Sequence, residues 1–181
     1  MGKAETAETL AVYVAGPSAE IARCETMIEA LRAEGIRVTH AWPAVMRGHA
    51  RPDGELEPSI LAAEAEADLE GVRSADLVIV LTHERWTVGP GTSAGAMLEA
   101  GAAFGLGIPV LVAGGREIHA LFGTLAAHEV TQAVGEPLEE CDARAVTWAA
   151  AYAAGWARAR GAPAPERARP PAPAESDGGE P

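Results

Sequence analysis

Gly91-Thr92-Ser93-Ala94-Gly95-Ala96-Met97-Leu98-Glu99-Ala100-Gly101-Ala102-Ala103-Phe104-Gly105, followed by Leu106-Gly107-Ile108-Pro109-Val110-Leu111-Val112, is the stretch whose reading decides the fold. Its glycine-rich entry, with Thr92 or Ser93 as cap, predicts a helix that begins here with unpaired N–H groups pointing outward. Such an end attracts anions. Glu99 falls in the second turn, with Gly95 and Ala96 one turn before it and Ala102 and Ala103 one turn after, on the same side. These small neighbours leave room above the carboxylate. Gly107 stops the helix, and residues 108–112 read as a short apolar strand of a buried parallel sheet. That order places Glu99 near the ligand-binding edge of the sheet. The same residues also fit a close-packed helix-to-sheet contact in which Glu99 only reaches solvent.

Upstream, residues 77–82 form a further apolar strand opened by Asp76, and a helix is expected from Ser59 to about Arg73. On that helix Leu61, Ala65, Asp68 and Val72 share one face, so Asp68 lies on a burying stripe; the alternative is a helix-edge Asp reaching water or an amide. Residues 42–57 contain Pro43, Gly48, Pro52 and Gly54, with Pro58 next, and read as a long loop. Residues 10–15 are a β-rich apolar run in which Tyr13 alone is large and polar-tipped, and Gly16-Pro17-Ser18 bends the chain. Ile21, Cys24, Ile28 and Leu31 then recur at helical steps up to Gly35, and residues 36–40 read as a strand.

Downstream come a turn at 114–117, a short helix at 118–125, a last short strand at 128–132 and a long alanine-rich helix at 138–160. Alternation of strand and helix predicts an α/β protein: a single Rossmann/flavodoxin-like three-layer domain, with a parallel sheet of about five strands flanked by helices. That domain spans residues 10–160. Residues 1–9 read as a disordered lead-in and the Pro/Ala-rich residues 161–181 as a disordered tail.

A chain of 181 residues is long enough to bury a sizeable core, and its formal net charge of −12 argues against a nucleic-acid polymer or an anionic membrane as partner. Small-molecule chemistry is favoured. Cys24 and Cys141 fit no metal-ligand or redox spacing and read as reduced thiols of a cytoplasmic protein. The histidines His40, His49, His83, His119 and His128 show no HExxH or facial-triad spacing, so neither a metal nor a cofactor is expected. Trp42 and Trp86 fall in expected loops, where packing over the core competes with stacking on a base.

Three stretches, in order, resemble the nucleoside 2-deoxyribosyltransferase-like family, which includes nucleoside 5′-monophosphate N-glycosidases. They are Val12-Tyr13-Val14-Ala15-Gly16-Pro17; Asp68-Leu69-Glu70-Gly71-Val72-Arg73-Ser74-Ala75-Asp76; and Met97-Leu98-Glu99-Ala100-Gly101-Ala102-Ala103. The resemblance covers most of residues 11 to 125 and rests on the order and spacing of the three together. It implies that Glu99 is a nucleophile attacking the anomeric carbon of the sugar. It implies further that Asp68 holds the base and protonates it as it leaves, and that Tyr13 orients Glu99 by a hydrogen bond. Retaining glycosyl transfer uses such a pair of carboxyl groups.

Substrate-binding residues are expected at Gly16, Pro17 and Ser18 and at Thr92, Ser93 and Gly95. Many members of the family carry a further Asp six residues before the nucleophile, where this chain has Ser93; Glu84 is the candidate replacement. Thr92 and Ser93 at a helix N-terminus suit a 5′-phosphate and favour a nucleotide over a nucleoside. The resemblance also implies a homodimer or higher homo-oligomer in which a neighbouring subunit closes the site, and residues 138–160 offer small apolar side chains for that contact. Two other readings compete. One is a nucleotide-binding module of the same fold without the chemistry. The other is a lysine-decarboxylase-like phosphoribohydrolase, whose glycine-rich motif is only partly echoed by Pro90-Gly91-Thr92 and Glu99.

Overall fold

A computed structural model of the chain describes residues 9–49, 57–82, 94–114, 126–133 and 135–159. Five strands, β1 (Ala11–Ala15), β2 (Arg37–Val38), β3 (Leu77–Thr82), β4 (Val110–Gly114) and β5 (His128–Thr131), form one parallel sheet in the order β2-β1-β3-β4-β5. Among the described residues five helices flank it: α1 (Ile21–Ala33), α2 (Trp42–His49), α3 (Pro58–Arg73), α4 (Ala94–Gly105) and α5 (Leu138–Ala159). Every residue of β1, β3 and β4 is buried, which is why these segments read as unbroken apolar runs rather than alternating ones. The α/β fold and the five-stranded parallel sheet expected from the sequence are what the chain forms.

The β1–β3 register is pinned at its start by Asp76. Its backbone N–H donates to the Ala11 carbonyl at 2.7 Å, and its Oδ2 accepts the Ala11 N–H at 3.0 Å. Val12 to Ala15 then pair with Leu77 to Val80. Strand order reverses at β1, whose neighbours are β2 on one side and β3 on the other, so a crevice opens beyond the carboxyl ends of β1 and β3. At the far end of α4 the backbone turns on Gly107, with φ +72, and the Ile108 N–H closes on the Ala103 carbonyl at 2.9 Å. The chain is thereby aimed into β4.

Two sequence expectations change. Residues 42–49 form α2 instead of loop: Pro43 sits in the first turn, where no intrahelical N–H is required, so it does not oppose the helix. Trp42 anchors that turn, buried, its ring N–H donating to the Val14 carbonyl at 2.9 Å. The strand expected over 36–40 shortens to Arg37–Val38 at the sheet edge, although the Thr39 N–H still reaches the Val12 carbonyl at 2.9 Å. His40 then leaves the sheet towards α3.

A part-buried ion pair joins α1 to α5. Arg23 on α1 donates from Nε and Nη2 to both oxygens of Asp142 on α5, each at 2.7 Å, and from Nη1 to Glu20 at 2.9 Å and to the carbonyl of Thr82 at 3.0 Å. Such a pair is neutralised and hydrogen-bonded in place, which offsets the partial loss of water around both charges. Cys24 and Cys141 are free and buried. No helix among the described residues is long and apolar enough to cross a membrane.

Candidate active site

Tyr13 stands at the middle of β1 with no exposed surface, and its hydroxyl is the point where α3 and α4 meet the sheet. Tyr13 Oη lies 2.7 Å from Asp68 Oδ1 and 2.9 Å from Glu99 Oε1. Three residues 55 and 86 positions apart along the chain are thus joined through one oxygen. What permits the approach is Gly71, one turn after Asp68 on α3. A Cβ there would stand 2.8 Å from the Tyr13 ring and 2.9 Å from the His40 Cβ, so only glycine lets α3 come this close to β1.

A phenol has one hydrogen and cannot donate to two carboxylates at once. With both acids ionised, one of these short contacts would set a lone pair against a negative charge. The arrangement is satisfied when Asp68 and Glu99 share one proton between them, the protonated acid donating to the phenol oxygen and the phenol donating to the other. Electrostatics agree with that count. Burial, and then the charge of Asp68, raise Glu99 to about 7 against the opposing hydrogen bond from Tyr13. Asp68 is raised chiefly by burial; the Tyr13 hydrogen bond opposes this, the Glu64 charge adds to it and His40 pulls the other way. The Tyr13 hydroxyl, held far above its ordinary range by burial and by both acids, is a fixed donor and not a base.

Around Asp68 the structure adds two residues that the sequence reading did not single out. His40 Nε2 lies 2.8 Å from Glu64 Oε1 and 3.7 Å from Asp68 Oδ1. Their ligand atoms fall within 4.8 Å of one another; within the group His40 Nε2 and Glu64 Oε1 are hydrogen-bonded to each other, and Asp68 Oδ1 accepts from the Tyr13 hydroxyl. The face of α3 turned inward differs from the expected stripe accordingly: Leu61 and Ala65 are exposed, whereas Glu64, Asp68, Gly71 and Val72 face the protein. Sequence alone held one signal for this, the placement of Glu64 four residues before Asp68 on the same side of a helix.

The remaining expected site residues lie around this centre or outside the described residues. Gly16, Pro17 and Ser18 follow the carboxyl end of β1, where the Glu20 N–H closes on the Pro17 carbonyl at 2.9 Å as the chain turns into α1. Pro17 is buried and Ser18 exposed. Gly95 is exposed in the first turn of α4, one turn before Glu99, and an added Cβ would meet nothing within 4 Å. Thr92, Ser93, Glu84 and Trp86 lie outside the described residues, as does the short helix expected at 118–125.

Residues 12–117 match the sequence profile of the nucleoside 2-deoxyribosyltransferase family, a span of more than half the chain that includes Tyr13, Asp68 and Glu99. Similar solved structures include a CMP N-glycosidase of Clostridium botulinum, 18% identical, with a TM-score of 0.46 over 73% of this chain and 98% of that one. A 2-deoxyribosyltransferase of Bacillus psychrosaccharolyticus is 21% identical, with a TM-score of 0.49 over 65% and 84%. A conserved protein of Enterococcus faecalis is 22% identical, with a TM-score of 0.45 over 76% and 99%. No curated protein sequence matches the chain. The profile match, running through all three residues gathered at the Tyr13 hydroxyl, makes this chain a member of the nucleoside 2-deoxyribosyltransferase family.

Proposed function

We propose that the protein breaks or transfers the N-glycosidic bond of a nucleoside or nucleoside 5′-monophosphate, with Glu99 as nucleophile and Asp68 as acid. The observation that carries this is the pair of carboxyl groups held on one phenol oxygen, with Tyr13 Oη at 2.7 Å from Asp68 and 2.9 Å from Glu99. The bonded oxygens can be no further apart than those two contacts laid end to end. That is closer than the roughly 6.5–9.5 Å of an inverting pair, which must leave space for water. Retention through a covalent intermediate is the chemistry that fits.

In the first step the Glu99 carboxylate bonds to the anomeric carbon. The carbon–nitrogen bond breaks, its electron pair goes to the base, and Asp68 delivers its proton to the base. Tyr13 donates its hydrogen to Glu99 in the ground state and releases it as the carboxylate's charge passes into the new ester bond. In the second step water or an incoming base attacks the same carbon, Asp68 takes the proton it loses, and Glu99 leaves as carboxylate. The first acceptor makes the protein a hydrolase and the second a transferase.

Thr92 and Ser93, just ahead of α4, favour a 5′-monophosphate over a nucleoside, since hydroxyls and N–H groups at a helix start suit a phosphate. A soluble, cytoplasmic homo-oligomer is the form in which we expect the enzyme to work. Incubation with a panel of nucleosides and 5′-monophosphates, with free base as readout and a second base added in parallel, tests the reading. Release of base, together with a sugar adduct on Glu99 by mass spectrometry, is the expected result. Binding without release from any member of the panel would favour a non-catalytic nucleotide-binding module.

A further inference from the structure

His40, Glu64 and Asp68 bring three metal-ligating side chains to one point beside the Tyr13 hydroxyl, with all three ligand atoms within 4.8 Å of one another. No sequence spacing announces them, because His40 comes from the chain leaving β2 and the two acids from successive turns of α3. Two of the three are held from outside the group. The Thr39 N–H reaches the Val12 carbonyl at 2.9 Å and the Trp42 indole reaches the Val14 carbonyl at 2.9 Å, so His40 sits between two residues tied to β1. Gly71 lets α3 close on it, since an added Cβ there would stand 2.9 Å from the His40 Cβ. Asp68 Oδ1 accepts from Tyr13 Oη at 2.7 Å, the kind of outer hydrogen bond that orients a metal ligand.

The distances inside the group suit a shared cation better than a closed hydrogen-bond network. His40 Nε2 is 2.8 Å from Glu64 Oε1 but 3.7 Å from Asp68 Oδ1, and the second separation is too long for a hydrogen bond. Two ligands bound at about 2.0–2.2 Å to one tetrahedral ion lie about 3.4 Å apart, and at a right angle about 3.0 Å. The two observed separations bracket those values. The remaining edge, between the acids, has to close by no more than about 1.5 Å, which a turn of one carboxyl group about its side-chain torsions supplies. The three side chains are 11–22% exposed, so an ion can enter from solvent and keep a position open to water. Among the described residues His40 is the only basic partner of either acid, so no lysine or arginine competes for the place of a cation. One imidazole and two carboxyl oxygens are a donor set for zinc and its first-row neighbours, whereas magnesium and calcium favour oxygen throughout.

We propose that His40 Nε2, Glu64 and Asp68 bind a divalent cation of the zinc type, and that the bound cation silences the enzyme by occupying Asp68. His40 coordinates as the neutral imidazole, with its hydrogen on Nδ1. An Asp68 carboxylate spent on a metal ion has no proton to give to the leaving base. The binding stands on the geometry of the three side chains alone; the silencing rests on the reading of Asp68 as acid.

Equilibrium dialysis of the full chain against Zn2+ tests the site. One tightly held ion per chain is expected in the wild type, at an affinity that His40→Ala and Glu64→Gln each lower by at least about tenfold, since losing a ligand costs no less than losing an outer-shell partner. Binding that neither variant weakens would overturn the proposal, as would zinc displaced by an equal concentration of Mg2+. The 15N shifts of the wild-type histidine rings decide the matter even where a variant fails to fold. Zn2+ should move Nε2 of His40, and a titration in which other histidines respond while His40 does not would overturn the site. Base release should fall as the site fills, recover when EDTA is added, and be spared by the same zinc in His40→Ala. Chelation of zinc by a substrate phosphate is common to both proteins and cannot imitate that difference. Full turnover with zinc bound at His40 would overturn the silencing. Zinc bound at His40 in a protein that releases no base from any substrate would uphold the site and sink the N-glycosidase reading alone.

Discussion

Burying Glu99 carries a cost to the fold, and the sign of that cost can be worked out. Burial raises its pKa from 4.5 to about 7, so the folded state binds a proton more tightly than the unfolded chain does. Stability from this group is therefore full below about pH 4.5 and is lost as pH rises through about 7, amounting to about 3 kcal/mol at alkaline pH. Glu99→Gln removes the ionisation while keeping the shape. Its melting temperature should exceed that of the wild type at pH 8, with the gap closing towards pH 5, while base release falls by about a thousandfold or more. Thermal scans at the two pH values check the first part, and an unstable Glu99→Gln at pH 8 would contradict it. Asp68→Asn keeps a donor to the base but loses the transferable proton. Its rate should fall by roughly a hundred- to ten-thousandfold, least for substrates with a good leaving base, with binding changed much less. A loss equal for good and poor leaving bases, together with a lower melting temperature, would instead make Asp68 a structural residue. Of these residues the sequence made Tyr13, Asp68 and Glu99 visible, because each lies in a short pattern of its own element. His40 and Glu64 were not, because their partnership exists only where the chain leaving β2 meets α3.

At the scale of elements, the close approach of α3 to β1 fixes the Tyr13–Asp68 distance. Gly71→Ala would place a methyl against the Tyr13 ring and His40, and side chains in a closed core give way only at a cost of about 1–3 kcal/mol. A lower melting temperature and a rate loss larger than the stability loss explains are expected, with Tyr13 and Asp68 pushed apart. A Gly71→Ala protein as active and as stable as the wild type would show that α3 is not set by this contact. Strands β1, β3 and β4 were legible because burial on both faces makes them continuous apolar runs. Helix α2 was not, since Pro43 and Gly48 weigh against a helix in isolation. It is the anchoring of the Trp42 indole on the Val14 carbonyl that holds that segment, a contact no local pattern encodes. The inner face of α3 was read one position off for a related reason: it is lined with polar groups that a search for apolar periodicity passes over.

Across the whole molecule the apolar surface is unevenly spread. Among the described residues the large exposed hydrophobic side chains are Leu61 and Leu69 on α3, Leu98 and Phe104 on α4 and Leu106 just beyond it, with Leu98 73% exposed. The long helix α5 turns Cys141, Ala145 and Ala149 inward, and Trp148 stacks on Tyr152 at 5.1 Å beside β5. These exposed side chains of α3 and α4 are therefore stronger candidates for contact between subunits than the alanine-rich helix that the sequence reading offered. Sedimentation of the wild type should give a dimer or larger, and Leu98→Glu should shift it towards monomer. A wild type that sediments as a fully active monomer would dispose of the oligomer.

Arg23 carries one more consequence, for the order in which the protein can be made. Its guanidinium is accepted by Asp142, 119 residues further along, and by the carbonyl of Thr82, 59 residues along. On the ribosome the first strand and helix leave the tunnel long before either acceptor exists. At about 5–20 residues per second, the carboxylate that takes both Nε and Nη2 follows on the order of ten seconds later. Until then the guanidinium has Glu20, one turn away, as its carboxylate, and two of its donors must be met by water. A nascent protein halted before Asp142 thus holds Tyr13, Asp68 and Glu99 but lacks the carboxylate that ties α1 to α5.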